Sequence, residues 1–125
     1  MNARQKVEAY FAALTTGDAD RLIDLISPAD HFVKIGTEPG EYIEGGGRAA
    51  QYYHHHVAST RDFTIDIEHL DVQERDSVAW FYTRQQWRLK WQGQDEELAL
   101  RLTGVLEREA GEWKFAQIHA SIGVA

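Results

Sequence analysis

From residue 60 onward the chain is a succession of long alternating segments, and these constrain the fold more than any other feature. FTIDIEH (63–69) places Phe63, Ile65 and Ile67 on one side and Thr64, Asp66 and Glu68 on the other, the period of a half-buried strand. VAWFYTRQQWRLKW (78–91) is a long strand with large residues on both faces. ELALRLTGVLER (97–108) puts Leu98, Leu100, Leu102 and Leu106 on one face and Ala99, Arg101, Thr103 and Val105 on the other. EWKFAQIHASIGV (112–124) is again two-sided. Short turns around Gly93 and at Ala110-Gly111 imply antiparallel hairpins. A sheet covered by helices on one face should be polar on the other. Here the second face carries either Phe81, Trp87, Leu89 and Trp91 or else Val78, Trp80 and Tyr82. Either set implies an outer face buried against another subunit. Alternation alone does not choose between them, because a one-residue slip exchanges the faces.

The first half supplies the helices. Val7, Tyr10, Phe11 and Leu14 form one apolar stripe over residues 3–16. Asn2 can cap this helix and Gly17 can end it in the left-handed conformation. Asp18 then caps a second helix over about residues 19–26, which Ser27-Pro28 stops. HFVKI (31–35) reads as a short strand, and residues 48–59 as a third helix with Ala49, Tyr53 and Val57 along one face and Tyr52 and His56 beside them. Helix, helix, strand, helix, then long strands is an α+β order: three helices packed on one face of a curved antiparallel sheet. The 125 residues make one domain, 1–125, without repeat or linker.

Charge and composition exclude several roles. Thirteen basic residues against twenty acidic ones give a formal net charge of −7. Such a surface repels phosphate backbones and anionic lipid, so neither a nucleic-acid nor a membrane partner is expected. The absence of cysteine removes disulfides, thiolate metal sites and a thiol nucleophile. No apolar run approaches a membrane span. The amphipathic start MNARQKVEAYFAAL lacks the pattern of a secretory signal, so a cytoplasmic location is expected.

Two motifs invite chemistry and decline it on inspection. In IGTEPGEYIEGGG (35–47), Gly40 and Gly45 have the spacing of a phosphate loop, but Gly46 and Gly47 stand where Lys and Ser/Thr belong. Glu38, Glu41 and Glu44 would repel a phosphate there. The triple histidine His54–His56 cannot converge on one ion, since consecutive helical side chains diverge by about 100°. It reads as a solvated helix face with one ring, His56, against the core. No metal and no cofactor are expected.

Three blocks in order resemble a known family: YFAALTTGDADRLIDLIS, then FVKIGTEPGEYIEG, then RLTGVLEREAGEWKFAQIHAS. They resemble the SnoaL-like branch of the NTF2-like superfamily, cone-shaped α+β barrels. The last block is also similar to the association domain of calmodulin-dependent kinase. The resemblance implies a deep pocket inside the cone and a homodimer through the outer sheet face. It does not imply one activity, because the superfamily holds isomerases, cyclases, dehydratases, transport factors and assembly hubs.

The steroid-isomerase mechanism of that superfamily needs a carboxylate base, a tyrosine and a protonated acid. Tyr10, seven residues before Gly17, is similar in register to the family's tyrosine. The base position falls near Ile35-Gly36 and the acid position near Thr103, and neither carries an acid. Polyketide-cyclase relatives use acids from other strands, which leaves Glu38 and Glu41 as candidates at the pocket mouth. Arg101 either enters the cone to orient a ligand or pairs with an internal acid such as Glu41. His119, in an even-spaced row with Trp113, Phe115, Gln117 and Ser121, is either a pocket residue or part of the dimer interface. The hub's pocket arginine, between the last His and Ser, is replaced by Ala120.

The expectation is a SnoaL-like dimeric protein that binds a small, partly apolar molecule without catalysis. Tyr10, Tyr42, Trp80 and Tyr82 would stack against the ligand, and Arg101 and His119 would orient it. The alternative is an isomerase-, cyclase- or dehydratase-like enzyme with Glu41 or His119 as general base.

Overall fold

The first helix, α1 (Ala3–Thr16), begins at a capping box: the Asn2 side chain accepts from the Gln5 amide, and Gln5 Oε1 accepts from the Asn2 amide. It ends at Gly17, whose φ of 72° is the left-handed conformation the sequence predicts there. Asp18 caps α2 (Ala19–Leu25) through the Arg21 amide. The chain then forms β1 (Val33–Ile35), β2 (Tyr42–Glu44), α3 (Gly46–Ser59), β3 (Thr60–Arg75), β4 (Val78–Trp91), β5 (Gln94–Glu109) and β6 (Glu112–Ser121). These elements come from a computed structural model that describes residues 1–124. No helix among them is long and apolar enough to cross a membrane.

The six strands form one sheet in the order β2-β1-β6-β5-β4-β3. Two points differ from the sequence-based expectation. The glycine-rich connection contains a strand, β2, which pairs with β1 as a hairpin (Lys34 opposite Ile43). The sheet is also not wholly antiparallel, because β1 runs parallel to β6. The first strand enters from the helical hairpin rather than from a neighbouring strand, so nothing forces it to reverse against β6.

α1 lies against β3 and β6. The Phe11 and Phe81 rings meet edge to face at 6.5 Å, and Tyr10 stands 4.9 Å from Phe115. Burying side chains of this size contributes about 1.5–3 kcal/mol each, which is what fastens the helices to the sheet. The inner face of β4 carries Ala79, Phe81, Thr83, Gln85 and Leu89, all buried. Val78, Trp80 and Tyr82 stand on the outer face.

Bulges settle the facing of the flanking strands. Between β5 and β6 the register shifts after Val105, which leaves Ala116 as an extra residue. Trp113 and Phe115 point inward before it, and Gln117 and His119 point outward after it. The even-spaced row read from the sequence is therefore two half-rows on opposite faces. In β3 a bulge between Ile67 and His69 hands the inner face to Leu70 and Val72, and Ile67 is left exposed.

Candidate functional site

The open end of the cone holds a cavity of about 510 Å³. One wall is apolar and comes from the sheet: Trp87, Leu89 and Trp91 of β4 with Leu98, Leu100 and Leu102 of β5. Polar groups come from β1, the β1–β2 turn, α1 and α3, with Glu96 of β5 beside the apolar wall. A volume of this size with a few convergent polar groups suits a small organic molecule.

Lys34 occupies the middle of β1, and its inward direction follows from its pairing with Ile118 of β6, itself fully buried. It is only 9% exposed. Its ammonium lies over the Tyr52 ring, 4.8 Å from the centroid. No carboxylate oxygen among the described residues lies within 4.0 Å of it. Burial holds the amine below the usual lysine range, and the charge of nearby Glu41 partly opposes this.

Glu41 reaches back over the turn. Its carboxylate accepts from the Tyr52 hydroxyl at 3.2 Å and from the Glu38 amide at 3.2 Å. The turn is closed by the Gly36 amide donating to the Glu41 carbonyl at 2.7 Å. A side chain at Gly36 would fall on the Glu41 carboxyl group, so only glycine leaves that carboxylate room to fold inward. Burial, then the charge of Glu41, pushes the Tyr52 phenol well above its ordinary range.

Deeper in, Tyr10 of α1 and Tyr53 of α3 join hydroxyls at 2.5 Å. Burial raises both phenols, so they stay protonated hydrogen-bond donors. His56, one turn further along α3, packs between Tyr52, Phe63 and Trp91. Burial lowers its pKa to about 4, helped by the charges of Lys34 and His55. Its ring is therefore neutral at neutral pH, and its Nδ1 is buried without a protein partner.

The SnoaL-like domain model matches residues 3–125, nearly the whole chain. The chain belongs to the SnoaL-like domain family. The SnoaL-like domain also matches solved structures of the NTF2-like superfamily. A candidate dehydratase of the NTF2-like family from Streptomyces avermitilis superposes with a TM-score of 0.82 at 22% identity, over 97% of this chain and 93% of that one. A ketosteroid isomerase-like protein from Erwinia carotovora atroseptica gives 0.78 at 20% identity, over 98% and 94%. A candidate calcium/calmodulin-dependent protein kinase type II association domain from Thiobacillus denitrificans gives 0.75 at 17% identity, over 98% and 96%. At these identities the likeness is one of fold. A sequence search of the curated proteins finds no match.

The SnoaL-like domain gathers some of the sequence-derived candidates and scatters others. Tyr10 and Glu41 line the cavity. Tyr42 does not: it is 61% exposed, because Tyr42 and Glu41 are neighbours near the turn and point to opposite sides. Trp80 and Tyr82, 40% and 47% exposed, lie on the outer face with Arg101 and His119. Their placement inside the cone is corrected for one reason: the inner face of β4 and β5 is the one that carries Phe81 and the leucine row. Arg101 stands opposite Arg84 rather than beside Glu41, so the internal Arg101–Glu41 pair does not form either.

Lys34, Tyr53, Trp87 and Trp91 were not singled out as site residues by the sequence. Lys34 carries one local signal, a lone cation between the apolar neighbours Val33 and Ile35 of a short strand, but its inward direction comes only from the pairing with β6.

Proposed function

We propose that the SnoaL-like domain binds a small, partly apolar molecule in the cone and holds it through a carboxylate or carbonyl oxygen at Lys34. One observation carries this reading. A nearly buried lysine opens on an apolar cavity and has no carboxylate within 4.0 Å among the described residues. A buried cation is costly unless an anion or dipole joins it, and a ligand oxygen would supply that partner. Trp87 and Trp91 would stack on the ligand's apolar body, and the phenol pair Tyr10–Tyr53 would donate to a second oxygen. The domain would act as a homodimer, with Trp80 and Tyr82 of the outer face buried between copies.

The test is a tryptophan-fluorescence titration with small aromatic carboxylic acids, cinnamate among them. Saturable quenching is expected, and Lys34→Met should weaken it by about tenfold or more, the cost of about 1.4 kcal/mol from one charge-assisted contact. A panel without saturable response would defeat the reading.

A second reading is favoured by the Tyr52–Glu41 hydrogen bond inside the cavity. Here the domain is an isomerase-, cyclase- or dehydratase-like enzyme in which Glu41 removes a proton from a carbon of the ligand. Proton exchange at that carbon in deuterated water, followed by NMR, should then require Glu41 and vanish in Glu41→Gln.

A further inference from the structure

We propose that Lys34 is a covalent binding residue whose amine condenses with the carbonyl carbon of an aromatic or alkenyl aldehyde or ketone seated in the cone, forming an imine. The inference rests on the cavity being a small-molecule site, as argued above. It adds the class of ligand and the bond that holds it.

Four features support it. The backbone of Lys34 is pinned on both sides, by Ile43 of β2 and Ile118 of β6, so its side chain issues from a fixed point. The amine is sunk among apolar and aromatic groups yet faces the cavity. Of the chain's four lysines, Lys34 alone lines that cavity: Lys6 is buried elsewhere, Lys90 pairs with Asp95 at 3.0 Å, and Lys114 lies near Asp24 and Glu112. Proton-handling groups stand near it: Glu41 with its Tyr52 partner, and neutral His56.

An ordinary lysine, with a pKa near 10.4, is only about 0.04% free amine at neutral pH. Desolvation of Lys34 raises that fraction, which is how buried lysines become nucleophiles.

The step balances within the site and its ligand. The ammonium loses one proton, which a solvent water in the cavity carries to the Glu41 carboxylate. The free amine attacks the carbonyl carbon, a C–N bond forms, and the C=O π pair moves to oxygen. That oxygen takes a proton from the nitrogen, relayed through the carboxyl group, to give the carbinolamine. Glu41 then returns its proton to the hydroxyl, the C–O bond breaks, and water leaves. The nitrogen lone pair closes the C=N bond, leaving a protonated imine. In sum, an ammonium and a carbonyl become an iminium and one water. The apolar wall of Trp87, Trp91 and Leu100 would slow the return of that water.

The experiment is reductive trapping. The full chain is incubated with cinnamaldehyde, reduced with sodium borohydride, and read by intact mass and peptide mapping. One reduced adduct on Lys34 is expected, at least about tenfold above Lys6, Lys90 and Lys114, because only Lys34 meets an aldehyde held in the cavity. Lys34→Arg keeps the charge and should lose the adduct, with circular dichroism verifying its fold. Adducts spread over Lys90, Lys114 and the terminal amine with Lys34 unmodified would overturn the proposal. Cinnamate, which has the same skeleton without an electrophilic aldehyde, separates the two levels. If cinnamate quenches the tryptophans and cinnamaldehyde leaves Lys34 unmodified, the imine falls and the pocket reading stands. If neither compound engages the protein, both fall.

Discussion

The hydroxyls of Tyr10 and Tyr53 meet 2.5 Å apart, with both rings almost wholly buried. This bond ties α1 to α3 across the floor of the cavity. One hydroxyl donates and the other accepts, so removing either leaves a buried hydroxyl without its partner. Tyr10→Phe or Tyr53→Phe should each cost about 1–3 kcal/mol in urea unfolding. The double variant should cost clearly less than the sum, because the second change removes a group already orphaned. Additive losses would show that the pair does not act as a unit.

His56 predicts a pH dependence with a definite sign. Its pKa falls from about 6.5 in the unfolded chain to about 4 in the folded one. Above pH 6.5 neither state binds the proton. As pH falls from there toward 4, the unfolded chain takes it up and the folded one does not, so stability drops, and it levels off below 4. The contribution is about 3 kcal/mol at most. The groups facing the ring include Lys34, His55, Tyr52, Phe63 and Trp91, and the two basic ones act in the same direction. In chemical denaturation between pH 7 and pH 4, wild type should lose stability relative to His56→Phe as pH falls. A constant difference would contradict the assignment.

Gly36 predicts a local rearrangement. Gly36→Ala places a methyl group where the Glu41 carboxyl lies, so Glu41 must swing out and release Tyr52. The variant should keep its fold, since the clash is with the end of a side chain. The Tyr52 phenol should titrate lower without the carboxylate beside it, measured by ultraviolet absorbance. An unchanged tyrosine titration would mean that Glu41 holds its place.

The outer sheet face predicts the oligomer. Trp80, Tyr82 and Val78 form an exposed apolar patch, flanked by the directly opposed pair Arg84–Arg101. Burying the patch between two copies would remove that apolar surface from water. Wild type should sediment as a dimer, and Trp80→Glu with Tyr82→Glu as a folded monomer. A wild-type chain that sediments only as monomer at micromolar concentration would remove the dimer reading.

Local chemistry made much of the fold legible. The stripe Val7, Tyr10, Phe11, Leu14 and the Gly17 stop define α1 without help from any distant residue. The same holds for Asp18 at the head of α2 and for the bounds of β4. His56 as the inward member of the triple histidine follows from helical periodicity alone. The glycine-rich segment showed its acidic, non-phosphate character, yet hid β2, because a three-residue strand has too few positions to display a period.

The sequence by itself determined every element but β2, their order, the family resemblance and the presence of two apolar sheet faces. Only the tertiary structure decided which face is the cone's interior. Alternation is symmetric under a one-residue shift, and the shift is set by bulges at Ala116 and between Ile67 and His69, where no local signal marks them. The Ala116 bulge sends His119 to the outer surface, and Trp80, Tyr82 and Arg101 lie there because the face of β4 and β5 that carries Phe81 and the leucine row is the inner one. Lys34 faces the cavity only because β1 lies beside β6, which turns its amine into desolvated surroundings.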